Sequence, residues 1–422
     1  MFDRAPGPPS RNAFPRSGMS QDALRRELEQ LQSEDVAWES GILQSHVYAV
    51  DPDVEEIAKE AQAMFYHANA LLLTFFPSIS RMEDDILAMV ADMLNAPGPC
   101  GVMTTGGTES NLLAVLAARE YARIHHPSIT RPEVVLSYNA HPSFDKACHL
   151  FGLDAIRVPL TSDLITDSEG IIDALTDQTV LMVGSAPTFS HGVVDPIPEL
   201  AAAARSREIP FHVDSCVGGF FLPFMEKNGE PVPQWDFRVE GVTSISADLH
   251  KHGYAAKGAS IIMFRDLELR DCVSFSFTNW PYGLYATHTI GGTRSGGAVA
   301  AAWAVMNYLG EEGYCRIVAK SMDITRQLMD GISEIPGLEI WAKPVMNHFG
   351  YGSRTLDTYA IADGMEQRGW VVGRQQSPPA INMHVFPVHE KIIAPYLNDL
   401  QDVVYLVGKG EIERSTKQAK YN

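Results

Sequence analysis

The sequence predicts an α/β protein, with a large domain on a mostly parallel central sheet and a smaller C-terminal α/β domain. Three observations carry this. The chain has 422 residues, too many for one small core, so a large domain with a smaller one attached is favoured. Short apolar runs bounded by polar turns alternate with helical stretches through the middle of the chain, the pattern of βα units. Beyond about residue 305, a long helix-forming stretch leads into a lighter α/β pattern.

The elements follow in order. Residues 1–19 are rich in Pro, Gly and Arg and lack an apolar h-region, so they read as a flexible arm and not a signal peptide. Residues 20–95 read as a helical segment. SQDALRRELEQLQ opens on a capping Ser20 with leucines at helical spacing, and residues 52–67 and 80–94 continue the helical pattern. The large domain spans 96–305. There GPCGVMTTGGTES precedes the helix NLLAVLAAREYARIHH. Strands are expected at 133–138, 155–160, 179–186, 210–215, 244–247 and 259–264. Residues 306–422 make the small domain, with GLEIWA, YAIADGMEQRGW and INMHVF as its clearest segments.

Charge narrows the function. With 33 basic and 52 acidic residues the net charge is −19, which argues against broad binding to nucleic acid or anionic membrane. Cys100, Cys148, Cys216, Cys272 and Cys315 are scattered and show no CxxC spacing. Neither a disulfide framework nor a zinc site is expected, and a reducing cytoplasm fits. No apolar run reaches the roughly 18 residues of a membrane-spanning helix.

Four stretches carry chemistry. TTGGTES (104–110) places Gly-Gly-Thr before a strong helix, which reads either as a capped helix after a glycine turn or as a phosphate cradle. It lacks the GK[ST] of a Walker A loop. AHPSFDKA puts His141 just after a strand, where a parallel sheet faces its ligand crevice; capping or surface exposure is the plainer fate. HVDSC ends a strand on Asp214, a carboxylate that needs a cation or many donors, unless it only caps a helix. ISADLHKHGYAAKG puts Lys251 after a further strand, where burial would lower its pKa and leave a nucleophile toward carbonyls. In this order they supply a phosphate cradle, a ring stacker, a partner for a pyridinium nitrogen and an aldehyde-binding lysine. That is the set pyridoxal 5'-phosphate requires.

The long segments GVMTTGGTESNLLA, AHPSFDKACHLFG, VGSAPTFSHGVVDPIPELA, HVDSCVGGFFLPF, GVTSISADLHKHGYAAKGAS and YATHTIGGTRSGG resemble the sphingosine-1-phosphate lyase family. Those are fold-type-I pyridoxal-phosphate enzymes related to the group II amino-acid decarboxylases, and the likeness runs from about residue 40 to 405. The resemblance implies that Lys251 bonds the cofactor, Asp214 pairs with its ring nitrogen and His141 stacks on the ring. Gly107 and Thr108 would hold the phosphate, with His250 and Ser246 beside it. Thr293 would reach the phosphate of a neighbouring subunit, implying a homodimer with shared active sites. Tyr48, Asn69 and Lys257 match the family's substrate-phosphate set, but Leu72 stands where the family has a histidine. His252 likewise replaces a tyrosine.

The resemblance implies cleavage between Cα and Cβ of a 2-amino-3-hydroxy substrate, with His191 or Tyr48 as the base. The alternative is an amino-acid decarboxylase with an altered pocket, since a leucine cannot make the histidine's charge-assisted bond. A non-catalytic paralogue would predict a missing lysine or an appended DNA-binding domain, and neither is seen.

Overall fold

The computed structural model describes residues 14–44, 47–48, 50–414 and 416–419, so the expected arm lies largely outside the described residues. The hydroxyl of Ser20 accepts from the Ala23 N–H at 3.2 Å and caps the helix Gln21–Gln32, none of whose residues is buried. Helices Pro52–Met64 and Pro77–Met93 follow, each opened by a proline that needs no N–H partner there.

A seven-stranded sheet forms the centre. Its strands are β1 (Gly101–Thr104), β2 (Glu133–Ser137), β3 (Asp154–Val158), β4 (Thr179–Ser185), β5 (Phe211–Asp214), β6 (Ser244–Ala247) and β7 (Ser260–Phe264). They lie in the order β1-β7-β6-β5-β4-β2-β3. Strands β3, β2, β4, β5 and β6 run parallel, while β7 is antiparallel to both β6 and β1. All seven residues of β4 are buried, which is why its sequence runs apolar without alternation. The expected strands are present; β1 was not anticipated. It is four residues long and is completed only by pairing with residues 260–263, far along the chain. Because β2, β4, β5 and β6 are parallel, the segments after them emerge at one edge. Those segments carry His141, His191, Asp214 and Lys251.

An exposed hairpin, β8 (Phe275–Phe277) with β9 (Tyr285–Thr287), precedes the long helix Gly296–Ser333. That helix breaks at Gly310 (φ 54°, ψ −173°) and runs through residue 306. Val305 and Met322 pack in the large core, whereas Ile324, Leu328 and Ile332 pack in the small one. The small domain carries an antiparallel sheet of β10 (Glu339–Ile340), β11 (His348–Gly352), β13 (Ala380–His384) and β12 (Gly373–Gln375), in that order. No described helix is long and apolar enough to cross a membrane.

The loop after β4 is held from both sides. Buried Asp195 accepts from Thr166 Oγ1 at 2.6 Å and from the Ser185 N–H at 2.8 Å, and burial raises its carboxyl to about 6. On the other side, the Val345 N–H donates to the Gly192 carbonyl at 2.8 Å. Gly192 has φ +66°, and a Cβ there would lie 1.9 Å from the His348 carbonyl oxygen. The two domains meet here with no room for a methyl group. Gly192→Ala is expected to destabilise the protein by about 3 kcal/mol or more, read as a lower urea midpoint. An unchanged midpoint would contradict the close approach.

Candidate active site

A cavity of about 550 Å³ opens at the carboxyl edge of the parallel strands, lined by Gly106, Gly107, Thr108, His141, Asp214 and Lys251 among others. The turn between β1 and the helix Gly107–His125 forms one wall. Glu109 fixes it: one oxygen accepts from the Thr105 N–H and hydroxyl at 2.7 Å each, the other from the Ile290 and Gly291 N–H groups at 2.9 and 3.2 Å. A Cβ on Gly107 would sit 2.6 Å from Cys216 Sγ and 2.7 Å from Asp248 Oδ2, so this position admits only glycine.

Asp214 ends β5 and is buried. It accepts from Asn111 Nδ2 at 3.0 Å, the Cys216 N–H at 3.1 Å and Ser246 Oγ at 3.4 Å. Burial alone would raise its carboxyl, but His141, a hydrogen bond from the Cys216 side chain, His212 and Lys251 outweigh it and hold it below the usual carboxylate range. Asn111 also donates to Ser143 Oγ at 2.9 Å, and Ser143 meets His141 Nδ1 at 2.9 Å. His141 is held below its ordinary pKa by burial, against the pull of Asp214. Sequence reading missed Asn111. Its only signal is one amide just before the apolar run LLAVLAA.

Lys251 departs from expectation. Burial pulls its pKa down, but Asp248, with Oδ2 2.9 Å from Nζ, overrides this and raises the ammonium pKa well above its ordinary value. The expected lowering is therefore corrected: the neighbouring carboxylate decides the sign. Asp248, also missed, accepts from Ser260 Oγ at 2.5 Å. Ser246 lies deeper. Expected beside the phosphate, it is fully buried under Asp214, also 3.2 Å from Cys216 Sγ, and is not among the residues lining the cavity.

The other expected residues divide. His250 lines the cavity, and burial lowers its imidazole to about 4. Lys257 donates to the His250 carbonyl at 2.8 Å, and its ammonium lies 5.0 Å from the centre of the Tyr48 ring. Tyr48 packs edge-on against His252 and His384, whose Nε2 atoms are 2.9 Å apart. Asn69 pairs with Ser295 and accepts from the Leu71 N–H, in a turn that leaves Leu72 43% exposed. Thr293 is exposed, two residues beyond cavity-lining Gly291. His191 lines a separate crevice of about 460 Å³ that shares His141 and Phe189 with the cavity.

These residues fit pyridoxal phosphate. His250 Nδ1 is buried without a hydrogen-bond partner beside the glycine turn, where the helix amides favour an anion. An ionised Asp214 suits a protonated ring nitrogen, and Lys251 suits the aldehyde. Comparison with known proteins agrees. The profile described as "Pyridoxal-dependent decarboxylase conserved domain" matches residues 46–351. A sphingosine-1-phosphate lyase of Oryza sativa subsp. japonica is 39% identical over 93% of this chain and 74% of its own length. The chain belongs to the sphingosine-1-phosphate lyase family. It is thus a pyridoxal-phosphate-dependent lyase on the fold-type-I scaffold. The solved Burkholderia pseudomallei sphingosine-1-phosphate lyase superimposes with a TM-score of 0.91 at 37% identity, covering 95% of this chain and 94% of that one. A probable L-tyrosine/L-aspartate decarboxylase of Methanothermobacter thermautotrophicus is 33% identical over 82% of this chain and 94% of its own length.

The ion pair gives a test on the apoenzyme. In Asp248→Asn burial dominates, so the Lys251 pKa falls and its neutral amine becomes available at lower pH. The pH profile for capture of added pyridoxal phosphate, followed by visible absorbance, should shift toward acid. An unshifted profile would show that Asp248 does not set the charge of Lys251.

Proposed function

We infer that the protein cleaves the Cα–Cβ bond of a phosphorylated long-chain 2-amino-3-hydroxy base, giving an aldehyde and a phosphorylated amine. The observation that carries this reading is the cation beside the cavity. Lys257 is hydrogen-bonded to the backbone of cavity-lining His250 and stands over Tyr48, where it can meet a substrate anion. Its ammonium is held below the ordinary lysine range by burial and by Lys251, so a bound anion would relieve it.

When bound, pyridoxal phosphate supplies an electron sink for the carbanion left at Cα. The protein's part is to position and move protons. Asp214 keeps a proton on the ring nitrogen, His141 covers the ring, and the glycine turn with Thr108 and His250 fixes the phosphate. Lys251, kept as an ammonium by Asp248 when unbound, returns a proton at Cα. Tyr48 and His191 are the two residues the sequence offers for taking the β-hydroxyl proton. Asn69 belongs to the substrate-phosphate set, and Thr293 acts across a homodimer, a reading supported by large exposed side chains around the hairpin and turn: Phe75 (76%), Tyr282 (88%) and Leu284 (68%). Five unpaired cysteines suit a reducing, cytoplasmic setting.

The archaeal decarboxylase relative and Leu72 support a second reading, amino-acid decarboxylation. One assay separates the two. Holoenzyme given a phosphorylated long-chain base should release a long-chain aldehyde; CO₂ from an amino-acid panel with no aldehyde would select the decarboxylase. Lys257→Ala should raise KM for the phosphorylated base by about 10- to 100-fold, the loss of one charge-assisted hydrogen bond, and keep the cofactor's visible spectrum. Loss of the cofactor in that variant would contradict the division between the two lysines.

A further inference from the structure

The crevice beside the cavity contains a chain of hydrogen bonds whose directions can be assigned one by one. It starts at a backbone carbonyl, Ser190 O, which can only accept. Asn382 therefore presents Nδ2 to it, at 3.1 Å. This orientation turns Asn382 Oδ1 toward His348 Nε2, 2.7 Å away, so that nitrogen carries a proton. The Asn382 Nδ2 group also donates to Gln375 Oε1 at 3.0 Å, which leaves Gln375 Nε2 facing His191. A second carbonyl, Ser377 O, 3.5 Å from Gln375 Nε2, agrees with that orientation. Gln375 Nε2 and His191 Nε2 are 2.8 Å apart, and an amide NH₂ can only donate.

His191 Nε2 must then be the acceptor, and the proton of the neutral ring resides on Nδ1. The ring is 1% exposed, and burial lowers its pKa to about 4, so it is neutral at ordinary pH. Nδ1 is buried and has no hydrogen-bond partner in the protein. A buried donor left unmet costs roughly 1–3 kcal/mol, which a ligand oxygen would recover.

We propose that Gln375 and Asn382, both on the small domain, lock His191 as the Nδ1–H tautomer, making it a hydrogen-bond donor to a substrate oxygen and not the base that deprotonates it. The lone pair a base would need is already engaged. Gln375 and Asn382 are positioning residues for this group, and they also tether its loop to the small-domain sheet. The tautomer follows from the hydrogen bonds alone; the role as donor rests on the lyase reading above. With His191 committed to donation, the proton of the β-hydroxyl goes to another group, and Tyr48 is the remaining candidate.

Two measurements on the holoenzyme test this. With ¹⁵N-labelled histidines, and His191→Gln used to assign the signal, His191 should show a protonated Nδ1 and an unprotonated Nε2. In Gln375→Glu, whose carboxylate can only accept, the proton should move to Nε2. A wild-type Nε2–H or imidazolium, or a Gln375→Glu spectrum identical to wild type, would overturn the lock. In kinetics with the phosphorylated base, His191→Gln should lower kcat/KM about tenfold, the worth of one hydrogen bond. The acid limb of its pH profile should stay at the wild-type midpoint. Disappearance of that limb would make His191 the base after all. A protein with no aldehyde-releasing activity would sink the lyase reading and leave the spectroscopic result standing.

Discussion

The site is arranged around one ion pair, the buried Asp248 with the half-buried Lys251 at 2.9 Å. Removing the lysine would leave the carboxylate of Asp248 buried without its cation, which is costly. The neighbourhood is built to keep the pair whole. With Asp248 ionised, Ser260 must donate to it at 2.5 Å, Ser110 then donates to Ser260 at 2.9 Å, and Thr104 to Ser110 at 2.7 Å. This hydroxyl chain joins Asp248 to β1, to the first turn of the helix Gly107–His125 and to β7. The lysine and the floor of the phosphate turn are therefore parts of one polar network, and Gly107 is a glycine because that network and Cys216 lie against it.

A second buried carboxylate, Asp214, is treated differently. Its hydrogen bonds come from an amide, a backbone N–H and a hydroxyl, with the charges of His141 and Lys251 acting on it from nearby. Neutral donors leave its charge available to a cationic partner in the cavity, whereas Asp248 spends its charge on Lys251. Two carboxylates at the ends of neighbouring strands thus do opposite work. The same separation appears in the lysines. Lys251 is bound to an acid and stays charged, while Lys257, among the described residues, meets a carbonyl and a ring face and is poised for an outside anion.

Much of this was legible in the sequence, for physical reasons. The parallel strands announce themselves because burial on both faces demands continuous apolar residues, as in TVLMVGS. Chemistry-bearing residues that close such strands must emerge at one edge, so His141, Asp214 and Lys251 could be grouped before any coordinates. What could not be read depends on distant partners. The short β1 is a strand only because β7 pairs with it. Asn111 looks like a polar start to a helix until His212, Ser143 and Asp214 surround it. The charge of Lys251 turned on Asp248, which lies three residues away but matters only because the turn after β6 brings the two side chains together. Ser246 faces Asp214 because strand alternation and pairing with β5 decide where it points. The His252–His384 and His191–Gln375 contacts join residues more than a hundred positions apart, and no local pattern signals them.

Lys251, and no other lysine, is expected to bond the cofactor in this cavity. Borohydride reduction of the holoenzyme fixes that bond, and peptide mass mapping locates it. The account predicts the reduced pyridoxyl group on the peptide containing Lys251, at that residue. Its recovery on Lys257, or on a lysine outside the cavity, would contradict the account.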